Sequence, residues 1–144
     1  RDRASKWREG VFISRGRHAH ANKVLAAVDL SPATHVLLRF IAFRFRGQPG
    51  YQFRFVHVLD GSAPAARRRW EKMLPISGWD ADTPLELISP GPDGVARTLL
   101  DATAGWDIVI VGRRGMSRIK SLLLGSVSRR ILREVRDATV VIVS

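Results

Sequence analysis

The chemistry this chain can do is concentrated late in the sequence, where Gly112-Arg113-Arg114-Gly115 is followed by nine residues and then Gly125-Ser126. Glycines lack a Cβ, so their main-chain N–H groups approach an anion closely and adopt left-handed conformations. Ser126 opens a helix, and the free N–H groups of a helix N-terminus, with the dipole behind them, bind phosphate. The hydroxyls of Ser126 and Ser128 are further donors. With 12 glycines in 144 residues, this spacing arises by chance in roughly one such sequence per hundred, and the strand before and helix after make the coincidence rarer. The alternative is that the glycines merely cap turns.

Close relatives of the pattern are excluded by spacing. Gly-x4-Gly-Lys-Ser/Thr occurs nowhere, so this is not a P-loop. Nor do the glycines spell Gly-x-Gly-x-x-Gly, and the first strand-to-helix turn, Asp29-Leu30-Ser31-Pro32, contains none, which argues against a dinucleotide-dependent dehydrogenase. The serines have no His and Asp partners at a recognised spacing, so nucleophilic hydrolysis lacks support. His18 and His20 have no third ligand nearby, while His35 and His57 read as surface or strand residues. Arg113, Arg114, Arg118 and Lys120 load the glycine loop with positive charge. Arginine grips phosphate bidentately, so the charge suits a triphosphate; it is equally the composition of a solvated loop.

Alternating strands and helices must position this loop. Val24 to Val28 is a short continuous apolar run, as in a strand buried on both faces. Ser31-Pro32 reads as a helix N-cap with proline at the first helical position, and Val36, Leu37, Phe40 and Ile41 form the apolar stripe up to Gly47. Residues 51–59 form a second strand, 65–74 a short helix bounded by Pro64 and Pro75, and 85–88 a third, weaker strand. Val95, Leu99 and Leu100 mark a third helix, 107–112 the strongest strand, Val127 to Val135 a last helix and 139–143 a last strand. This β-α-β-α-β-α-β-α-β order implies a parallel sheet with helices on both faces. Ligands of such sheets sit outside the carboxyl ends of the strands where the strand order reverses, here after the first and fourth strands.

Three stretches together resemble the universal stress protein domain: the strand ending in Asp29-x-Ser31, Val56-His57-Val58, and Gly112-x2-Gly115-x9-Gly125-Ser126. The resemblance covers about Lys23 to Ser144 and is closest from Asp107 to Val143. It implies an α/β fold: a single-domain, open, five-stranded parallel sheet in the order 3-2-1-4-5 with helices on both faces, similar to the adenine nucleotide alpha hydrolases. Within that family the glycine pattern marks members that bind ATP, so the implied cofactor is ATP, with Mg²⁺ arriving mainly on the phosphates.

The implied roles follow residue by residue. Ala27 lines the adenine pocket, and Asp29 sits near the ribose or adenine; its alternative role is a helix-capping carboxylate. Val58 reads the adenine edge through its backbone. Val111 and Gly112 flank the ribose, Gly115 and Gly125 wrap the phosphates, and Ser126, Val127 and Ser128 bind phosphate from the helix start. One departure stands out: residues 60–83 are short and rich in proline and glycine where the family carries a long helix, which would leave one side of the adenine pocket open.

Composition bounds the rest. There are no cysteines, which excludes disulfide frameworks and thiolate chemistry and fits a reducing cytoplasm. No apolar run reaches the length of a membrane span. The net charge of +11 calls for an anionic partner or reflects an arginine-rich surface. Residues 1–22 are basic, with Trp7, Val11, Phe12 and Ile13 suited to one short strand but holding no helical period, and we expect a tail or a linker from an upstream module, with 23–144 as the nucleotide-binding domain. The function expected is that of an ATP-binding regulatory domain, a sensor or switch with at most slow hydrolysis. Alternatives are a cytoplasmic regulatory domain appended to a membrane transporter or other module, and a basic nucleic-acid-binding module, against which the missing RNA-binding signatures count. The apolar last strand reads as a sheet edge that a second copy would cover, so a homodimer is expected there.

Overall fold

The computed structural model of the protein describes residues 10–14, 22–112 and 126–143. Six strands form one sheet: β1 (Gly10–Ser14), β2 (Lys23–Ala27), β3 (Gln52–Val58), β4 (Glu86–Ile88), β5 (Ile108–Gly112) and β6 (Thr139–Val143). Their spatial order is β1-β6-β5-β2-β3-β4. All neighbours are parallel except β1, which runs antiparallel to β6 with Gly10 opposite Val143 and Ser14 opposite Thr139. The five parallel strands therefore have the order expected from the sequence. The addition is β1: it comes from the segment expected to be a tail, and it takes the outer edge of β6 that a second copy was expected to cover.

Four helices cover the sheet: α1 (Thr34–Ile41), α2 (Ala63–Ile76), α3 (Val95–Ala102) and α4 (Ser126–Glu134). A π-helical stretch, Ala42–Arg46, prolongs α1. On the α1/α2 face, Val24, Ala26, Phe55 and Ile110 pack against Leu38, Ile41, Trp70, Leu74 and Trp79. Trp79 meets Phe53 and Phe55 edge-on at 5.3 and 5.1 Å. Both buried indoles spend their N–H groups on main-chain carbonyls, Trp79 on Leu38 and Trp70 on Thr83, each at 2.9 Å. On the other face Leu25, Val56, Val109 and Val140 pack against Leu99 and Ile131. Central strands buried on both sides explain why their sequences read as unbroken apolar runs. Among the described residues no helix is long and apolar enough to cross a membrane.

The helix expected at 65–74 is longer, running through both prolines. Ser62 caps it, its hydroxyl accepting from the Ala65 N–H at 3.2 Å, and Pro64 stands in the first turn, where no N–H is needed. Pro75 falls in the last turn, where the ring removes one bond but interrupts nothing beyond it. The region between β3 and β4 thus does carry a long helix.

The short edge strand β4 is tied to β3 by charge as well as by the ladder. Arg54 Nε donates to Glu86 Oε1 at 2.6 Å and holds that carboxyl below the usual carboxylate range. The folded chain thus binds this proton less readily than the unfolded chain, so the pair stabilises at neutral pH and its contribution is lost as the pH falls through the carboxylate range. The Glu86 side chain is 47% exposed, which limits the pair to less than about 1 kcal/mol. Glu86→Gln should lower the unfolding free energy by that amount at about pH 7 and leave it unchanged near about pH 3, measured by urea titration at both.

Candidate functional site

The strand order reverses between β2 and β5. From β2 the chain crosses to β3 on one side; from β4 it returns to β5 on the other. Connections leaving two adjacent strands in opposite directions open a crevice above their carboxyl ends. Ala27 and Val111 are register partners at its floor. Gly112 follows Val111 and has only Leu37 Cδ1, at 4.0 Å, near the position a Cβ would take. Among the described residues no atom demands glycine there.

The tip of β2 is shaped by a strained turn. Leu30, buried to 1% exposure, holds φ at 61°, a left-handed conformation unusual for a branched residue. Burial of its side chain offsets that cost and turns the chain sharply, so that Asp29 stays exposed at the rim. Asp29 Oδ1 accepts from the Ser31 N–H at 2.9 Å and from the Thr34 hydroxyl at 3.2 Å. Its Oδ2 has no partner among the described residues. Asp29 therefore braces the turn that leads into α1 without capping a helix N–H, and keeps a free acceptor at the crevice rim. Ser31, expected as the N-cap, instead takes the Ala33 N–H at 3.3 Å, and α1 begins at Thr34. The acid two residues earlier reaches the helix start because the left-handed Leu30 folds it back.

At β3 a side chain ends the ladder. Val28 N–H donates to the Val56 carbonyl at 2.9 Å, the last main-chain bond between β2 and β3. In a parallel ladder alternate residues face the same neighbour, so the Val58 N–H and carbonyl point toward β2 beyond its last rung. The Val28 carbonyl would be the next acceptor for that N–H. It is taken instead by His57, whose Nδ1–H donates to it at 2.8 Å. His57 is 2% exposed; its Nε2 makes no hydrogen bond and stands 3.7 Å from Asp60 Oδ1. The sequence offers one signal of this role, a lone imidazole inside an apolar strand, and reading it as an ordinary strand residue misses the contact.

The opposite wall is the start of α4. Ser126 is its exposed first residue, and the N–H groups of its first turn have no helical acceptors. Val127 packs its side chain into the core, leaving only main chain for a ligand. Ser128 is buried at 6% exposure and its hydroxyl donates to the Gly112 carbonyl, tying α4 to the end of β5. That hydroxyl proton is committed, so anion contact at this position falls to the backbone N–H. The structure thus gathers Ala27, Asp29, Val58, Val111, Gly112, Ser126, Val127 and Ser128 at one end of the sheet. Gly115 and Gly125, with Arg113, Arg114, Arg118 and Lys120, lie outside the described residues.

The comparisons with known proteins agree with this architecture. Residues 85–143 match the model of the Universal stress protein family. Among solved structures, a protein from Pseudomonas aeruginosa UCBPP-PA14 assigned to the universal stress proteins superposes with a TM-score of 0.67 at 17% identity, over 93% of this chain and 51% of that one. This chain therefore spans about half its length. The universal stress protein from Archaeoglobus fulgidus gives a TM-score of 0.61 at 20% identity, covering 87% of this chain and 99% of that one. A universal stress protein in complex with cAMP gives 0.56 at 22% identity, covering 85% and 96%. No curated protein matches. The fold is that of the universal stress proteins, and the C-terminal sequence carries the mark of that family.

The His57 bond is testable by itself. His57→Leu keeps an apolar side chain of similar size but strands the Val28 carbonyl, and should cost between about 1 and 3 kcal/mol of unfolding free energy. Urea unfolding with an unchanged m-value is the expected reading.

Proposed function

We propose that this universal stress protein-like domain binds an adenine nucleotide, ATP accompanied by Mg²⁺, in the crevice between β2 and β5, and acts as a nucleotide-dependent regulatory switch. The observation that carries the reading is the unused main-chain edge of Val58 beside the free Oδ2 of Asp29, at the reversal of strand order. An adenine edge pairs with one N–H and one carbonyl, and a ribose hydroxyl donates to a carboxylate. Adenine would rest over Ala27 and Val58, ribose by Asp29, Val111 and Gly112, and phosphates at the first turn of α4. The glycines at 115 and 125 and the basic residues of that loop would complete the phosphate site. The cAMP held by one similar protein shares the adenosine; the density of arginine favours the more highly charged triphosphate here. The His57 ring is buried and committed to Val28, so it is not placed as a general base for water. On this reading the domain reports nucleotide, with at most slow hydrolysis.

Isothermal titration should show ATP binding, and nucleotide at about 100 times its Kd should stabilise the fold by about 2.7 kcal/mol. Asp29→Asn retains an acceptor for Ser31 and Thr34 while replacing the free oxygen with a donor, so it should weaken binding roughly tenfold without lowering Tm in the absence of nucleotide. Silence at millimolar ATP and cAMP would defeat the proposal.

A homodimer through the C-terminal strand needs a modified geometry. Since β1 pairs along all of β6, a second copy would pair with β1 or exchange β1 with its own. Sedimentation of the full chain and of one lacking residues 1–14 tests this: pairing on β1 and exchange of β1 both predict a dimer that becomes monomeric on truncation, whereas a dimer that persists or strengthens pairs directly on β6.

A further inference from the structure

The two helical layers handle charge differently. On α3 and α4 the arginines find partners in their own helices: Arg97 with Asp101 at 3.2 Å, and Arg130 and Arg133 with Glu134 at 3.0 and 3.7 Å. On the opposite face, α1 and its π-helical extension carry Arg39, Arg44 and Arg46 and no acidic residue. Helix α2 carries Arg67, Arg68, Arg69 and Lys72 against Glu71 alone. Arg46 pairs with Asp80 at 3.3 Å, and Arg67 donates to the Leu85 carbonyl. Arg39, Arg68, Arg69 and Lys72 form no ion pair among the described residues.

Apolar surface lies within this basic face. Phe43 is 74% exposed and Ile76 69%. Phe43 lies four residues after Arg39 on one helix; Ile76 lies four after Lys72 and seven after Arg69 on the other, so Phe43 follows one cation and Ile76 ends a stripe of two. Both helices return antiparallel to the strands, so their C-terminal ends share the end of the sheet opposite the crevice. Arg46 ties those ends together, donating to the Gly78 carbonyl and lying 5.1 Å over the Trp79 ring. Two exposed apolar residues on adjoining helices that also carry Arg39, Arg68, Arg69 and Lys72, without ion pairs among the described residues, have a definite complement: a surface of phosphate charge over hydrocarbon.

We propose that the α1/α2 face docks on an anionic lipid bilayer, with Phe43 and Ile76 entering the headgroup–acyl boundary and Arg39, Arg69 and Lys72 pairing with lipid phosphates and carboxylates. A nucleic acid offers the same phosphates, but an isoleucine has no flat face on which a base can stack, whereas both apolar residues partition into a bilayer interface. The surface stands at the far end from the nucleotide crevice, so the proposal does not depend on nucleotide binding.

Flotation of the full chain, without nucleotide, on vesicles of phosphatidylcholine alone and with roughly one-third phosphatidylserine tests it. The chain should float with the anionic vesicles only and be released by about 0.5 M salt. R69E/K72E, and separately F43S/I76S, should each weaken binding about tenfold or more. All four positions are exposed, so unchanged thermal melting is expected and checks that the fold is kept. Equal flotation on neutral vesicles, no flotation, or variants that bind like the parent chain (which would place binding in the basic segment 1–22) overturns the proposal. So does single-stranded RNA that displaces the vesicles while binding F43S/I76S as tightly as the parent.

Discussion

The carbonyl of Val28 accepts the ring of His57, and that bond shapes what the carboxyl end of the sheet offers. Were it to accept the Val58 N–H, the β2–β3 ladder would gain another rung and close over its own edge. It accepts the His57 ring instead. One side chain thereby satisfies a buried carbonyl, pins β2 to β3, and leaves the N–H and carbonyl of Val58 facing the crevice. A buried main-chain group left without a partner is costly, and a groove that gives it one recovers that cost. A ligand with adjoining acceptor and donor atoms is the natural occupant.

The other contacts at this end hold their groups in relation to that opening. The left-handed turn at Leu30 folds Asp29 back so that one oxygen accepts from Ser31 and Thr34 while the other has no partner among the described residues. Ser128 fastens α4 to the Gly112 carbonyl, which sets the helix start at a fixed distance from the β5 tip. Neither contact adds much stability; a buried neutral hydrogen bond contributes about 1 kcal/mol. Their effect is positional. They allow three separate segments to present a carboxylate, a strand edge and a helix N-terminus to one small volume.

How far the sequence revealed this depends on how local each determinant is. Val24–Ala27, Ile108–Gly112 and Thr139–Val143 are legible because strands covered on both faces need unbroken apolar runs. Their order follows from right-handed crossovers and from the resemblance carried by the glycine spacing. Strand β1 is harder to read, since Val11, Phe12 and Ile13 lie among basic residues and their ladder partner is Val140–Ile142, more than a hundred residues away. Proline marked α2 as short because the sequence shows that an N–H is missing but not that the loss falls at a helix end. Ser128 read as a phosphate donor for a similar reason: its type is visible, while the Gly112 carbonyl that claims its proton is brought near only by the fold. The role of His57 is likewise set by a partner 29 residues earlier that only strand pairing supplies.

Helix α1 joins the two ends of the molecule. Its first residue, Thr34, donates to the Asp29 carboxylate, and its π-helical extension carries Phe43 and Arg46 at the opposite end. Between them Leu37, Leu38 and Ile41 are buried, with Leu38 and Ile41 fully enclosed. A helix held this way moves as a rod, because its packed side chains cannot shift singly without opening voids. A ribose bound at Asp29, as proposed, would therefore act on the element that carries Phe43 and Arg46. The wider turns of the π-helical stretch are the part of the rod with the weakest intrinsic geometry, and the place where it would yield. Linkage then fixes the form of any coupling: the factor by which a bilayer changes nucleotide affinity equals the factor by which nucleotide changes affinity for the bilayer.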